Sequence, residues 1–162
     1  MIGRFTHHHV CCRRPLGVGK VLRRLVGAEL AFSVDFHLAS AHQLIPAAIA
    51  ALPRAGVVFV NSAEYATLAA HIDLGELNTV VVSEGPREVT LLQRGRVAAT
   101  MRPPHAAAVE VTGAGDTLAG TFLAQLAQGA SAPDALRQAV TAATRATGVP
   151  GLPVGVQRRP HR

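Results

Sequence analysis

Glu110-Val-Thr-Gly-Ala-Gly-Asp116 runs directly into Thr117-Leu-Ala-Gly-Thr-Phe-Leu123, a glycine turn opening an apolar helix. Gly113 and Gly115 permit backbone conformations and close approaches that a Cβ would forbid. The first turn of the helix directs unpaired N–H donors and its positive end at whatever lies in front of it, which suits an anion. Asp116 falls in that first turn. A carboxylate there can deprotonate a hydroxyl brought beside the anion. The stretch is not a P-loop, because no Gly-Lys-Ser/Thr follows, and its glycine spacing is not that of the dinucleotide fingerprint. The competing structural reading is a glycine turn with Asp116 as an ordinary helix cap.

Outward from this turn the chain alternates apolar runs with helical patterns. Leu30–Asp35 is a strand candidate, followed by a helix over His42–Leu52 that Pro53–Gly56 breaks. Val57-Val-Phe-Val60 and Thr79-Val-Val-Val82 are short, continuously apolar runs of the kind found in buried parallel strands. A helix to about Ala70 follows the first, with Ser62 as its N-cap. Glu88–Gln93 and Arg96–Met101 read as two strands around an Arg94-Gly95 turn, and Pro103-Pro104 end that unit. After the helix Ala114–Leu126, stopped by Gly129, Ser131-Ala-Pro-Asp134 reads as a capping box. The last helix runs to about Thr147 and stops at Gly148 and Pro150. Strands alternating with helices in this way predict an α/β sheet. Residues 1–17 show no clear periodicity, and Gly19–Val26 suggests a short basic helix.

Two further corners follow apolar strands. Asn61 and Glu64 stand one helical turn apart after Val60, at the strand end where open sheets bind ligands. An amide and a carboxylate so placed could hold a hydrated Mg²⁺ beside phosphates, although Glu64 at the third helical position would serve equally well as a capping residue. Ser83-Glu-Gly85 ends the next strand, where a hydroxyl and a glycine backbone could contact a nucleotide or simply form a connection.

The 162 residues suit one domain. With no Trp, one Tyr and five Phe, the chain lacks the aromatic platform of a single-strand nucleic-acid binder. Its net charge of +6 gathers at the ends: Arg4, Arg13, Arg14, Lys20, Arg23 and Arg24 precede the first acid, Glu29, and Arg158, Arg159 and Arg162 close the chain. Basic ends can meet nucleic acid or anionic lipid, but solvated arginines are the simpler reading, and nucleic acid is not expected as a partner. His7, His8, His9, Cys11 and Cys12 form a cluster that could bind a soft metal, without the usual ligand spacing, and an irregular N-terminus is the simpler reading. No apolar run reaches membrane-spanning length and no signal-peptide pattern stands out, so a cytoplasmic location is expected.

The three corners, in this order, resemble the ribokinase-like carbohydrate kinases, the PfkB family. The matching stretches are Asn61-Ser-Ala-Glu64, Val81-Val-Ser-Glu-Gly85 and Glu110-Val-Thr-Gly-Ala-Gly-Asp116, supported by Ala119-Gly-Thr-Phe-Leu123 and Leu126-Ala-Gln-Gly129. The resemblance spans about residues 20–155 and corresponds to the family's C-terminal, nucleotide-binding half. It implies a ribokinase-like three-layer α/β sandwich truncated to that half. The organisation it implies is an irregular basic segment at 1–17, a partial domain at 18–155 and a basic tail at 156–162.

It further implies transfer of the ATP γ-phosphate to a hydroxymethyl group of a sugar or nucleoside. Asp116 matches the catalytic base. Gly113, Ala114 and Gly115 match the anion hole. Asn61 and Glu64 match the motif that organises Mg²⁺, through water, and phosphates, and Ser83 and Gly85 match a turn lining the nucleotide. Glu110 replaces the motif's first aspartate and reaches one methylene farther. Asp35-Phe-His37 stands where the family often has Asp-Pro-Asn, and Asp35 receives no catalytic role. The unmatched half supplies most sugar contacts and the lid. The resemblance therefore leaves open a kinase, a non-catalytic nucleotide-binding or interaction module, and a half completed by a homodimer or a separate partner.

Overall fold

The computed structural model describes residues 6–104 and 111–148. The chain divides into two units, Met1–Arg102 and Pro103–Arg162.

The first unit is a six-stranded sheet with strands in sequence order. Its parallel part comprises β1 (His8–Cys12), β2 (Phe32–Phe36), β3 (Val57–Asn61) and β4 (Thr79–Ser83). The crossovers carry α1 (Val18–Gly27), α2 (Leu38–Ala48) with a 3₁₀ extension at Ile49–Arg54, and α3 (Ser62–Ala69) followed by a 3₁₀ turn at Leu74–Glu76. The sheet then turns antiparallel through β5 (Val89–Gln93) and β6 (Arg96–Met101). Each parallel crossover steps to the next strand in the same direction. With right-handed crossovers this places α1, α2 and α3 on one face.

That face holds the hydrophobic core. Val10, Cys12, Phe32, Val34, Val58, Val60, Val80 and Leu92 point into it from alternate strand positions. Val18, Leu22 and Leu25, spaced four and three apart, form the buried stripe of α1 that meets them. Cys12 behaves as a small hydrophobe there, and burial pushes its thiol pKa up to about 12. The opposite face changes character along the sheet. It carries His9, Cys11, Ser33 and Asp35 on β1 and β2, then the buried Val57, Phe59, Val81 and Leu91 on β3 to β5.

The second unit contains α4 (Ala114–Ala127) and α5 (Ala132–Thr147), joined by a short turn into a helical hairpin. α4 ends in a Schellman motif. Gly129 takes φ +86°, its N–H bonds the Leu126 carbonyl, and the Ala130 N–H reaches the Gln125 carbonyl. Leu118, Ala119 and Phe122 of α4 are buried, as are Ala135, Leu136, Ala139 and Val140 of α5. At the start of α5, Ser131 Oγ accepts the Asp134 N–H and donates to Asp134 Oδ2 at 2.6 Å.

Most expected elements are present, with three corrections. Residues 8–12 of the segment read as irregular form β1, paired in parallel register with β2. The helix expected from His42 begins at Leu38 and tightens to 3₁₀ after Ala48, with Pro53 inside the 3₁₀ turn rather than beyond it. The cap of α3 is Asn61 and not Ser62. The basic tail at 156–162 lies outside the described residues, as do Glu110 and Pro150.

Candidate functional site

Asn61 is the last residue of β3 and the N-cap of α3 at once. No loop separates strand from helix. Its side-chain Oδ1 accepts the Glu64 N–H at 2.9 Å, and its own N–H donates to Glu64 Oε2 at 2.8 Å. This reciprocal capping box satisfies two donors that the helix start would otherwise strand. Glu64 is only 3% exposed. Burial raises its pKa, the negative charge of Asp35 raises it further, and the Asn61 N–H and His37 pull the other way.

Ser83 stands beside this pair. Asn61 and Ser83 are register partners at the carboxyl ends of β3 and β4. Beyond Ser83 the turn closes with the Glu84 N–H on the Glu88 carbonyl at 2.8 Å, and Arg87 pairs with Glu84 at 2.9 Å. Gly85 takes φ +57° in this turn, and a Cβ placed on it would meet nothing within 4 Å. Glycine is favoured there by backbone conformation, and its surroundings are open. The sheet edge thus collects Asn61, Glu64, Ser83 and Gly85 within one unit.

Sequence reasoning gave Asp35 no part in this corner. The structure brings its charge, with that of His37, close enough to influence Glu64. The available signal was an acid near the carboxyl end of a parallel strand, three positions before a helix.

A surface cleft in this unit lies elsewhere. It has a volume of about 450 Å³ and is lined by residues including Ile72, Leu74, Arg94 and Arg96. These residues flank the amino end of β4 and the β5–β6 turn. Open α/β sheets bind ligands at the carboxyl ends of their strands, so this cleft is the wrong edge for the expected chemistry.

In the second unit, Gly113 is the N-cap of α4 with φ +81°, a left-handed conformation that disfavours any side chain. Ala114 N–H bonds the Val111 carbonyl and Thr117 N–H bonds the Gly113 carbonyl. Between them the N–H groups of Gly115 and Asp116 have no partner among the described residues. Thr117 Oγ1 also donates to the Gly113 carbonyl at 2.9 Å, which fixes the turn. Asp116 is exposed at the third helical position. Its carboxylate caps nothing among the described residues, unlike the ordinary cap that formed the competing reading. Two free donors and an unengaged carboxylate on one helical turn can bind an anion and accept a proton beside it.

A family model described as pfkB family carbohydrate kinase matches residues 40–156. No curated protein sequence matches the chain. Among solved structures, the nucleoside kinase of Methanocaldococcus jannaschii, an archaeal member of the ribokinase family, superposes with a TM-score of 0.74 at 15% identity, covering 90% of this chain and 50% of that one. Phosphofructokinase-2 from Escherichia coli gives 0.70 at 22% identity, covering 86% and 49%. A carbohydrate kinase from Agrobacterium tumefaciens gives 0.59 at 28% identity, covering 78% and 42%. The chain spans about half the length of the solved structures it matches. Its mixed α/β fold is that of the ribokinase-like kinases. With its family model matching well over half of its residues, the chain belongs to the pfkB family of carbohydrate kinases.

Proposed function

We propose that this chain takes part in transfer of the ATP γ-phosphate to a hydroxymethyl group of a sugar or nucleoside. The observation that carries the reading is the start of α4: two N–H donors without a partner among the described residues, beside an exposed carboxylate, with Gly113 in a left-handed turn. In this reading Asp116 accepts the proton of the attacking hydroxyl. The turn Gly113-Ala114-Gly115 holds phosphoryl oxygens as negative charge moves among them. Ser83 and Gly85 line the nucleotide.

Asn61 and Glu64 fit a Mg²⁺ held through water. Glu64 is a buried carboxylate whose charged form is disfavoured by burial and by Asp35, and a divalent cation nearby would offset both effects. Its Oε2 already accepts the Asn61 N–H, so an indirect role suits it better than direct ligation. Bound Mg²⁺ would supply charge neutralisation at the phosphates.

A second reading is a nucleotide-binding module without turnover, or a half completed by a second copy or a separate chain. Calorimetric titration with an ATP analogue and Mg²⁺, coupled to a phosphoryl-transfer assay over a panel of sugars and nucleosides, separates the readings. Binding with turnover that Asp116→Asn removes supports the kinase. Binding without turnover supports the module. Absence of binding sinks both. No helix among the described residues is long and apolar enough to cross a membrane, and a cytoplasmic location remains part of the proposal.

A further inference from the structure

We propose that His9, Cys11 and Asp35 form a binding site for a borderline-soft divalent cation of the zinc class. It lies on β1 and β2, on the face opposite the helices α1 to α3. Strand geometry assembles it. His9 and Cys11 are two residues apart on β1 and so project from the same face, and Cys11 is the register partner of Asp35 on β2. One imidazole nitrogen, one thiol sulfur and one carboxylate oxygen lie within 4.8 Å of one another. That donor set suits Zn²⁺ far better than Mg²⁺, which prefers oxygen ligands.

Two details suit the pair to a shared cation. Asp35 Oδ1 is buried and accepts no hydrogen bond. His9 Nε2 faces it at 3.8 Å, too far for a hydrogen bond. Two ligands bound about 2.1 Å from a shared tetrahedral ion stand roughly 3.4 Å apart, so a small side-chain shift lets one ion bridge the pair. The ring is also held in place. Ser33, itself fully buried, bonds His9 Nδ1 at 2.8 Å and His7 Nε2 at 2.9 Å. Phe59 packs edge-on against the His9 ring with centroids 5.9 Å apart. Fixing one ring nitrogen through a hydroxyl while the other faces a ligand position is the usual support for a metal-bound histidine. His9 and Cys11 are exposed, so an ion has access.

The structure also redraws the cluster seen in the sequence. Cys12 is 1% exposed and points to the opposite, core-facing side of the sheet. Adjacent cysteines on one strand cannot serve the same site.

The test is a Co²⁺ titration of the full chain after chelator treatment, followed by displacement with Zn²⁺. One equivalent of Co²⁺ should bind with a thiolate-to-metal charge-transfer band. Cys11→Ser should abolish the band, and Asp35→Asn should weaken binding about tenfold or more. Cys12→Ala should keep the band, with circular dichroism reporting the fold of each variant. The proposal is overturned if no band appears at one equivalent or if the band survives Cys11→Ser. It is equally overturned if binding is indifferent to Cys11→Ser and Asp35→Asn but lost on removal of His7 and His8, which would assign the ion to the terminal histidines. Since the readout is absorbance of bound Co²⁺, the test stands apart from any phosphoryl transfer.

Discussion

Helices α3 and α4 begin with the same arrangement and use it in opposite ways. Each has an acid at the third helical position: Glu64 in α3 and Asp116 in α4. In α3 the N-cap is Asn61, and cap and acid satisfy each other's backbone N–H groups. In α4 the N-cap is Gly113, which has no side chain to offer, and the N–H groups of Gly115 and Asp116 go unpaired among the described residues. Glu64 is buried and Asp116 is exposed. The first helix start satisfies its own backbone donors. The second leaves its donors and its charge available, a local cost that ligand binding would offset.

If this contrast is right, substitutions should separate stability from activity. The largest effect should come from Asp116→Asn, which lowers kcat about 10²–10⁴-fold in the phosphoryl-transfer assay. Its urea midpoint should hardly move, because the carboxylate makes no cap. A substantial loss of stability would instead make Asp116 a structural residue and erase the contrast.

Glu64→Ala should lower stability as well as any phosphoryl transfer that relies on Mg²⁺ at this corner. It strands the Asn61 N–H and removes half of the capping box, costing about 2 kcal/mol by denaturant unfolding. The same residue gives a pH signature. Its folded pKa is raised, so the folded state holds the proton more tightly than the unfolded chain. Its contribution to stability is then fully present below the unfolded carboxylate pKa and declines as pH rises through the folded one. Glu64→Gln should flatten that part of the stability–pH curve, and an unchanged curve would refute the assignment.

Gly113→Ala should cost about 1–2 kcal/mol, because alanine is strained at φ +81°. Nucleotide affinity should fall with it, since the turn that exposes the donors is altered. Gly115→Ala is the smallest and sharpest test. A Cβ there meets nothing within 4 Å, and alanine favours the helix, so stability should hold or rise by a few tenths of a kcal/mol. Loss of nucleotide binding with stability intact would show that this glycine serves the ligand.

The sequence made these two helix starts unequally legible. Gly113-Ala-Gly115-Asp116 announced both turn and helix because glycines before an apolar run have few other uses. The cap of α3 was read one residue late because Asn61 also ends β3, and a residue shared by strand and helix leaves no loop signal. The apolar runs Val57–Val60 and Thr79–Val82 revealed their strands directly, since both faces are largely buried. β1 stayed hidden for the opposite reason. Only Val10 and Cys12 of its five residues are buried, and the outward positions carry histidine and cysteine, so its alternation had little apolar contrast. The Asp35–Glu64 proximity was beyond reach as well, because it depends on which strands become neighbours.

The junction at Asn61 has a mechanical consequence. Strand and helix share one residue whose backbone N–H and side-chain Oδ1 are both engaged at the seam, which stiffens the junction. A ligand contacting this corner would meet groups already frozen in place and would spend little entropy ordering them. By the same reasoning, one residue inserted between Asn61 and Ser62 would uncouple the two elements, and the stiffness of the corner would be lost before any of its side chains had changed.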